Sequence, residues 1–222
     1  MERLSAAARD HSVMVEIGYA ERAGEHLYMG QAVFGPEGTP LIVRRKIRPS
    51  GGERALFSDD PQPDNIEVVP TELRRIGALS CWEHLRPYST FDMLAQRENV
   101  HFAAWPYNAA RGADVQWWED VEVALTAARM CAITGSTYVL LSGTGYGAVF
   151  NPLGQVIAET KSVGSEDLLF ATFDPSGFTT ASSDAEGEFS WGVLQTLRQS
   201  YPGPCTPDTE HGTLNQITVP GA

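Results

Sequence analysis

Cys81 is the residue with the most evident chemical potential in this chain. It follows an apolar run, Ile76-Gly77-Ala78-Leu79-Ser80, and opens a polar one, Trp82-Glu83-His84. A side chain at such a strand end in a layered α/β protein faces the ligand crevice. A thiolate there is a strong nucleophile once a base or cation lowers its pKa. Lys46 stands in Arg44-Arg45-Lys46-Ile47-Arg48-Pro49 and ends a predicted strand, where its cation can meet a developing oxyanion. Glu53 follows in Gly51-Gly52-Glu53-Arg54, placed to orient either group. Singly, each has a plainer reading: an inert buried thiol, a solvated basic run, a surface carboxylate. Jointly they describe attack of sulfur on an electrophilic carbon beside a fixed positive charge, and the expectation is that positions 81 and 46 converge on one cavity.

The remaining reactive types are less pointed. Cys131 falls inside a predicted helix as an inert thiol, and Cys205, between Pro204 and Thr206, is expected to be exposed. His84 lies three residues past Cys81; read as a continued strand, the alternation of faces does not bring it to the thiol. A papain-like Cys–His pair would need it there. His101 reads as a packed strand histidine. The histidines and cysteines do not cluster as zinc ligands do, so no metal and no cofactor is expected. Gly143-Thr144-Gly145-Tyr146-Gly147 opens a predicted hairpin strand; a phosphate loop opens a helix. Trp105 and the Trp117-Trp118 pair read as packing or pocket wall, with Trp105 the candidate substrate contact.

The elements that must position these groups can be read from periodicity. A helix opens the chain, strands follow over 13–19, 27–34 and 41–45, and Gly35-Pro36-Glu37-Gly38 turns the last two into a hairpin. That pattern recurs: Ala32-Val33-Phe34-Gly35-Pro36-Glu37-Gly38 is echoed by Ala148-Val149-Phe150-Asn151-Pro152-Leu153-Gly154, which predicts two similar hairpins at quasi-equivalent places in one sheet system. Residues 49–66 read as a loop, 76–81 as a buried strand, and Pro87 starts a helix reaching about Glu98. A strand over 100–105 and a helix over 114–133 follow, the latter with Trp118, Val121, Leu125, Ala128 and Ala132 on one face and Gly135 as its C-cap. Strands over 138–142 and 168–173 and a short helix near 193–199 complete the pattern. Hairpins interrupting a strand–helix alternation predict an α/β protein of two mixed sheets packed face to face, with helices outside.

The chain has 222 residues, 42% of them hydrophobic, ample for a core, and length suggests one domain with a tail. Its 28 acidic and 16 basic side chains give a net charge of −12, which argues against nucleic acid and anionic membrane surfaces as partners. The start lacks an apolar signal core and no stretch is long enough to span a membrane. With few cysteines, a cytoplasmic protein with reduced thiols is expected.

Lys46 in its Arg-Arg-Lys-Ile-Arg-Pro setting, Glu53-Arg54, and Gly77-Ala78-Leu79-Ser80-Cys81-Trp82-Glu83 together resemble the nitrilase superfamily of carbon–nitrogen hydrolases. Ile17-Gly18-Tyr19-Ala20-Glu21-Arg22, Leu27-Tyr28-Met29-Gly30-Gln31 and 96–106 are similar to its nitrilase and cyanide hydratase branch, fungal forms especially. The resemblance implies an αββα sandwich over a 1–175 hydrolase domain, with 176–222 as a C-terminal extension. It also implies the roles: Cys81 attacks a nitrile carbon, Lys46 stabilises the developing charge, the Trp82 N–H assists, and Glu53 supports the site. The product is a carboxylic acid and ammonia, or an amide if the thiol is expelled instead. A homo-oligomer is implied as well. In the family, a general-base glutamate precedes the lysine on a strand–helix–strand unit. That glutamate has no counterpart here, so the resemblance implies a fold incomplete at its N-terminus and weak or no activity for this chain. Glu16 and Glu21 match other positions. The alternatives are a cyanide hydratase or amidase of the same superfamily, and a non-catalytic subunit in an oligomer. The short stretch between Ser142 and Ala148 also departs from the family and bears on pocket size.

Overall fold

A computed structural model describes residues 1–61, 66–72, 74–107, 116–164, 167–176 and 217–218. The chain divides into two compact units, Met1–Ile66 with Tyr201–Ala222, and Glu67–Ser200. The expected helix near 193–199, Cys205 and nearly all of the 176–222 extension lie outside the described residues.

The first unit is a three-stranded antiparallel sheet, β1 (Val15–Ala23), β2 (His26–Phe34) and β3 (Pro40–Arg45), in that order, carrying helix α1 (Glu2–His11). α1 ends where Ser12 turns left-handed and its N–H returns to the helix carbonyls. Ala8, Ala32 and Phe34 form the core, with Leu4, Ile17 and Tyr19 packed against them.

The second unit is a six-stranded mixed sheet in the order β4 (Val69–Pro70), β5 (Arg75–Ser80), β6 (Val100–Trp105), β7 (Tyr138–Gly143), β8 (Tyr146–Phe150), β9 (Val156–Glu159). β5, β6 and β7 are parallel, and the remaining pairings are antiparallel. Parallel neighbours need crossovers, supplied by α2 (Pro87–Gln96) and α3 (Val121–Gly135). The apolar runs of β5 and β6 are those of strands covered on both faces.

The predicted α/β class with mixed sheets holds. The repeated hairpins are also found, with one difference. Both turns close alike, Gly38 N–H to the Gly35 carbonyl and Gly154 N–H to the Asn151 carbonyl, each at 2.8 Å. Both carry a register shift at matching places, Val33/Phe34 and Val149/Phe150. They stand in two different sheets, however, and not in one. The glycines are required: Gly154 has φ +73°, and a Cβ there would lie 2.7 Å from Ile133 on α3.

Two further expectations are corrected. α3 begins at Val121, because Asp120 caps it by accepting the Glu122 N–H at 3.0 Å. Trp118 therefore lies before the helix and is exposed; Ala124 and Ala127 join Val121, Ala128 and Ala132 on the buried face, and Ser136, not Gly135, is the left-handed cap. Residues 168–173 form no strand and pair with none among the described residues, and Leu168 and Phe170 are exposed.

Candidate active site

Lys46 follows the end of β3, and its backbone N–H donates to the Met29 carbonyl at 2.7 Å. Its side chain is fully buried, and Nζ donates to Glu53 Oε2 at 2.6 Å. The basic run around it is not a solvated face. Arg44 is buried and donates to Gln31 Oε1 at 3.3 Å; Gln31 in turn donates to Glu16 at 3.0 Å. Arg45 grips Glu21 through both guanidinium edges, Nε to Oε2 at 2.8 Å and the terminal nitrogen to Oε1 at 2.5 Å, and lies 3.9 Å over the Tyr28 ring. The Arg45 hydrogen bond holds the Glu21 carboxyl below its usual pKa. This accounts for Glu16 and Glu21 as structural acceptors.

Glu53 reaches Lys46 because its segment is a single 3₁₀ turn, Gly51–Ala55, entered through a capping box with Ser50. The Ser50 N–H donates to Glu53 Oε2 at 2.6 Å, so one carboxylate oxygen receives both the backbone donor and the lysine.

Cys81 shows the same local grammar. It is the first residue of a 3₁₀ turn, Cys81–Leu85, that leaves the C-terminal end of β5 through a capping box between Ser80 and Glu83. The Ser80 N–H donates to Glu83 Oε2 at 2.8 Å, and Glu83 is completely buried. The Cys81 backbone is left-handed, φ +50°. For a residue with a Cβ this costs about 1–2 kcal/mol, and such strain gathers where a side chain must be presented in one direction. The sharp strand-to-helix turn at Cys81 has the form of the elbow of serine hydrolases.

Around Cys81, Ala103, Trp105, Leu141, Tyr146 and Ala148 form one buried cluster, with Trp82 packed against it. Trp105 stacks on His84 with ring centres 5.8 Å apart, and its buried Nε1–H has no hydrogen-bond partner among the described residues. Trp82 meets Trp117 edge to face at 5.7 Å. A cavity of about 290 Å³ over β7 and β8, lined by Ser142, Gly143, Gly147, Thr160, Asp167 and Leu169 among others, includes none of the five candidate residues.

The 3₁₀ turn overturns the alternating-face reading of His84. Three residues on, its Nδ1 donates to the Cys81 carbonyl at 2.6 Å, and its Nε2 lies 2.8 Å from His101 Nε2. Both ring nitrogens are thus engaged, which leaves His84 no uncommitted nitrogen for the base role of a Cys–His pair. Lys46 and Glu53 belong to the first unit; Cys81, Trp82 and Trp105 belong to the second. Sequence reasoning missed His84, His101 and Glu98 as a connected set. It also missed both capping boxes, although Ser50-x-x-Glu53 and Ser80-x-x-Glu83 spell them openly.

Comparison with known proteins decides the family. The carbon-nitrogen hydrolase family pattern matches residues 1–182. This chain belongs to the carbon–nitrogen hydrolase family. It is 32% identical to a nitrilase of Pseudomonas syringae pv. syringae, over 93% of this chain and 69% of that protein. It is 30% identical to an aliphatic nitrilase of Rhodococcus rhodochrous (100% and 68%), and 28% identical to an arylacetonitrilase of Hypocrea virens (98% and 75%). In fold it resembles the NitN amidase of Nesterenkonia sp. AN1, TM-score 0.61 at 18% identity, over 73% of this chain and 64% of that one. As a family member it is a hydrolase of carbon–nitrogen bonds. Among the described residues, no helix is long and apolar enough to cross a membrane.

Proposed function

We propose that this hydrolase converts organic nitriles to carboxylic acids and ammonia, with Cys81 as nucleophile. The observation that carries the reading is the left-handed backbone of Cys81 at the C-terminal end of a parallel strand. The relatives named as nitrilases supply the substrate class.

In this reaction the Cys81 sulfur bonds to the nitrile carbon, and the nitrogen takes a proton to give a thioimidate. Water adds to that carbon, ammonia leaves with the C–N bond, and a thioester remains. A second water hydrolyses it, releasing the acid and restoring the thiol. Lys46 supplies the cation for charge developing on nitrogen or oxygen, and the Trp82 N–H assists as an oxyanion donor. Trp105 contacts substrate. Glu53 is a support and not the base, because its Oε2 is already committed to Lys46 and Ser50. The base that activates water is assigned to none of these residues. Residues 1–175 are read as the hydrolase portion, acting in a cytoplasmic homo-oligomer.

The test is product analysis with aliphatic and arylacetic nitriles. Acid plus ammonia, lost in Cys81→Ala, supports the proposal; full turnover in Cys81→Ala overturns it. Release of amide alone would assign the hydratase outcome, in which the tetrahedral species expels the thiol.

A further inference from the structure

Glu98, His101, His84 and the Cys81 carbonyl form a continuous buried chain in the second unit. His101 Nδ1 lies 2.8 Å from Glu98 Oε1 and 2.9 Å from Oε2. His101 Nε2 lies 2.8 Å from His84 Nε2, and His84 Nδ1 lies 2.6 Å from the Cys81 oxygen. All three side chains are buried, His101 completely. The parallel register places His101 opposite Gly77, and a Cβ on Gly77 would lie 2.0 Å from Glu98 Oε2, so the missing side chain makes room for the carboxylate.

Cys131 lies close enough to Glu98 and His101 for the three to suggest a metal set. The bonding argues otherwise. Both His101 nitrogens are already engaged, and burial, with the Glu98 charge beside it, pushes the Cys131 thiol well above its usual pKa. His101, hydrogen-bonded at both nitrogens, has no uncommitted donor atom to offer a cation.

Proton counting gives the chain a different role. Three hydrogen bonds need three protons. The Cys81 carbonyl only accepts, so His84 Nδ1 must carry one. Two neutral imidazoles bring two protons, and the third must be added, which makes the unit of Glu98 and two histidines neutral overall. A neutral unit is also what a dry site tolerates. We propose that Glu98, His101 and His84 are positioning residues: a proton-filled relay that fixes the Cys81 carbonyl and, through it, the left-handed backbone that aims the sulfur. The inference rests on Cys81 being the nucleophile.

The relay makes an unusual prediction for Glu98. Glutamine brings its own N–H to His101 Nδ1, so Glu98→Gln keeps three protons and three bonds; Glu98→Leu removes one of each. Two measurements on the full chain test this. Nitrogen-15 spectra of histidine-labelled wild type are expected to show His84 protonated at Nδ1, and Glu98→Gln to show His84 Nδ1–H with neutral His101 Nε2–H. His84 as the ordinary Nε2–H neutral tautomer in wild type overturns the relay. Iodoacetamide labelling of Cys81, read by peptide mass spectrometry, is expected to keep about its wild-type rate in Glu98→Gln and to fall about tenfold or more in Glu98→Leu and His101→Phe. Equal rates in the Gln and Leu variants overturn the positioning role. Should the Leu variant fail to fold, the wild-type spectrum alone decides. Turnover surviving in Cys81→Ala would sink the nucleophile assignment and leave the spectral result standing, so the two failures are distinguishable.

Discussion

Lys46 Nζ and Glu53 Oε2 are 2.6 Å apart, with the lysine side chain wholly removed from solvent. A buried ammonium is tolerated only with its partner in place. The capping box that shapes residues 50–55 therefore also neutralises Lys46. Glu53→Ala is expected to destabilise the protein by about 3 kcal/mol, because it strands the charge. Lys46→Met leaves the Glu53 carboxylate with its Ser50 N–H donor and partial solvent contact, and is expected to cost less than Glu53→Ala while abolishing nitrile turnover. Denaturant midpoints of the two variants check the asymmetry; an equal or larger loss in Lys46→Met would contradict it.

The left-handed Cys81 makes a stability prediction independent of chemistry. Glycine adopts that backbone without strain, whereas alanine keeps the strain. Cys81→Gly is therefore expected to be about 1 kcal/mol more stable than Cys81→Ala. Thermal denaturation checks this, and an alanine variant as stable as the glycine one would contradict the backbone geometry.

The Glu21 carboxyl is held below its usual value by Arg45. A depressed folded pKa stabilises above the unfolded value, near 4.5, and that contribution disappears as pH falls through the folded value. Wild type is expected to exceed Glu21→Gln in stability at neutral pH, with the gap closing below about pH 4. Raising salt should narrow it too, since both side chains are partly exposed. A gap unchanged from pH 7 to 3 would contradict the pairing.

Tyr146 behaves in the opposite sense. Burial and its hydrogen bond to Glu159 push the phenol from 10.0 up to about 12. A raised pKa stabilises fully below the unfolded value and is lost as pH climbs through the folded one. Ultraviolet titration of wild type against Tyr146→Phe is expected to assign the latest-ionising tyrosine to position 146. Normal ionisation of that residue near pH 10 would contradict its burial.

How much was legible depended on whether the signal was local. The hairpin turns were readable because Pro and Gly fix backbone angles within four residues, as at Gly35–Gly38 and Asn151–Gly154. Mixed sheets followed from strands alternating with helices and hairpins. The start of α3 was misplaced because Trp118 fitted the helical period, whereas the Asp120 cap decided the boundary. Residues 168–173 looked like a strand by composition, but a strand needs a paired neighbour, which composition does not report. Cys81, Lys46 and Glu53 were chosen by type and order. What hid the relay was topology: Glu98 and His101 reach His84 only through the β5–β6 register and the 3₁₀ turn.

The most direct test of the account is to quench the purified protein with acid during reaction with an organic nitrile and locate the covalent adduct by peptide mass spectrometry. A substrate-derived thioimidate or thioester is expected on Cys81, with none on Cys131, Cys205 or the Cys81→Ala protein. Nitrile consumption with no adduct on Cys81, or an undiminished rate in Cys81→Ala, would contradict it.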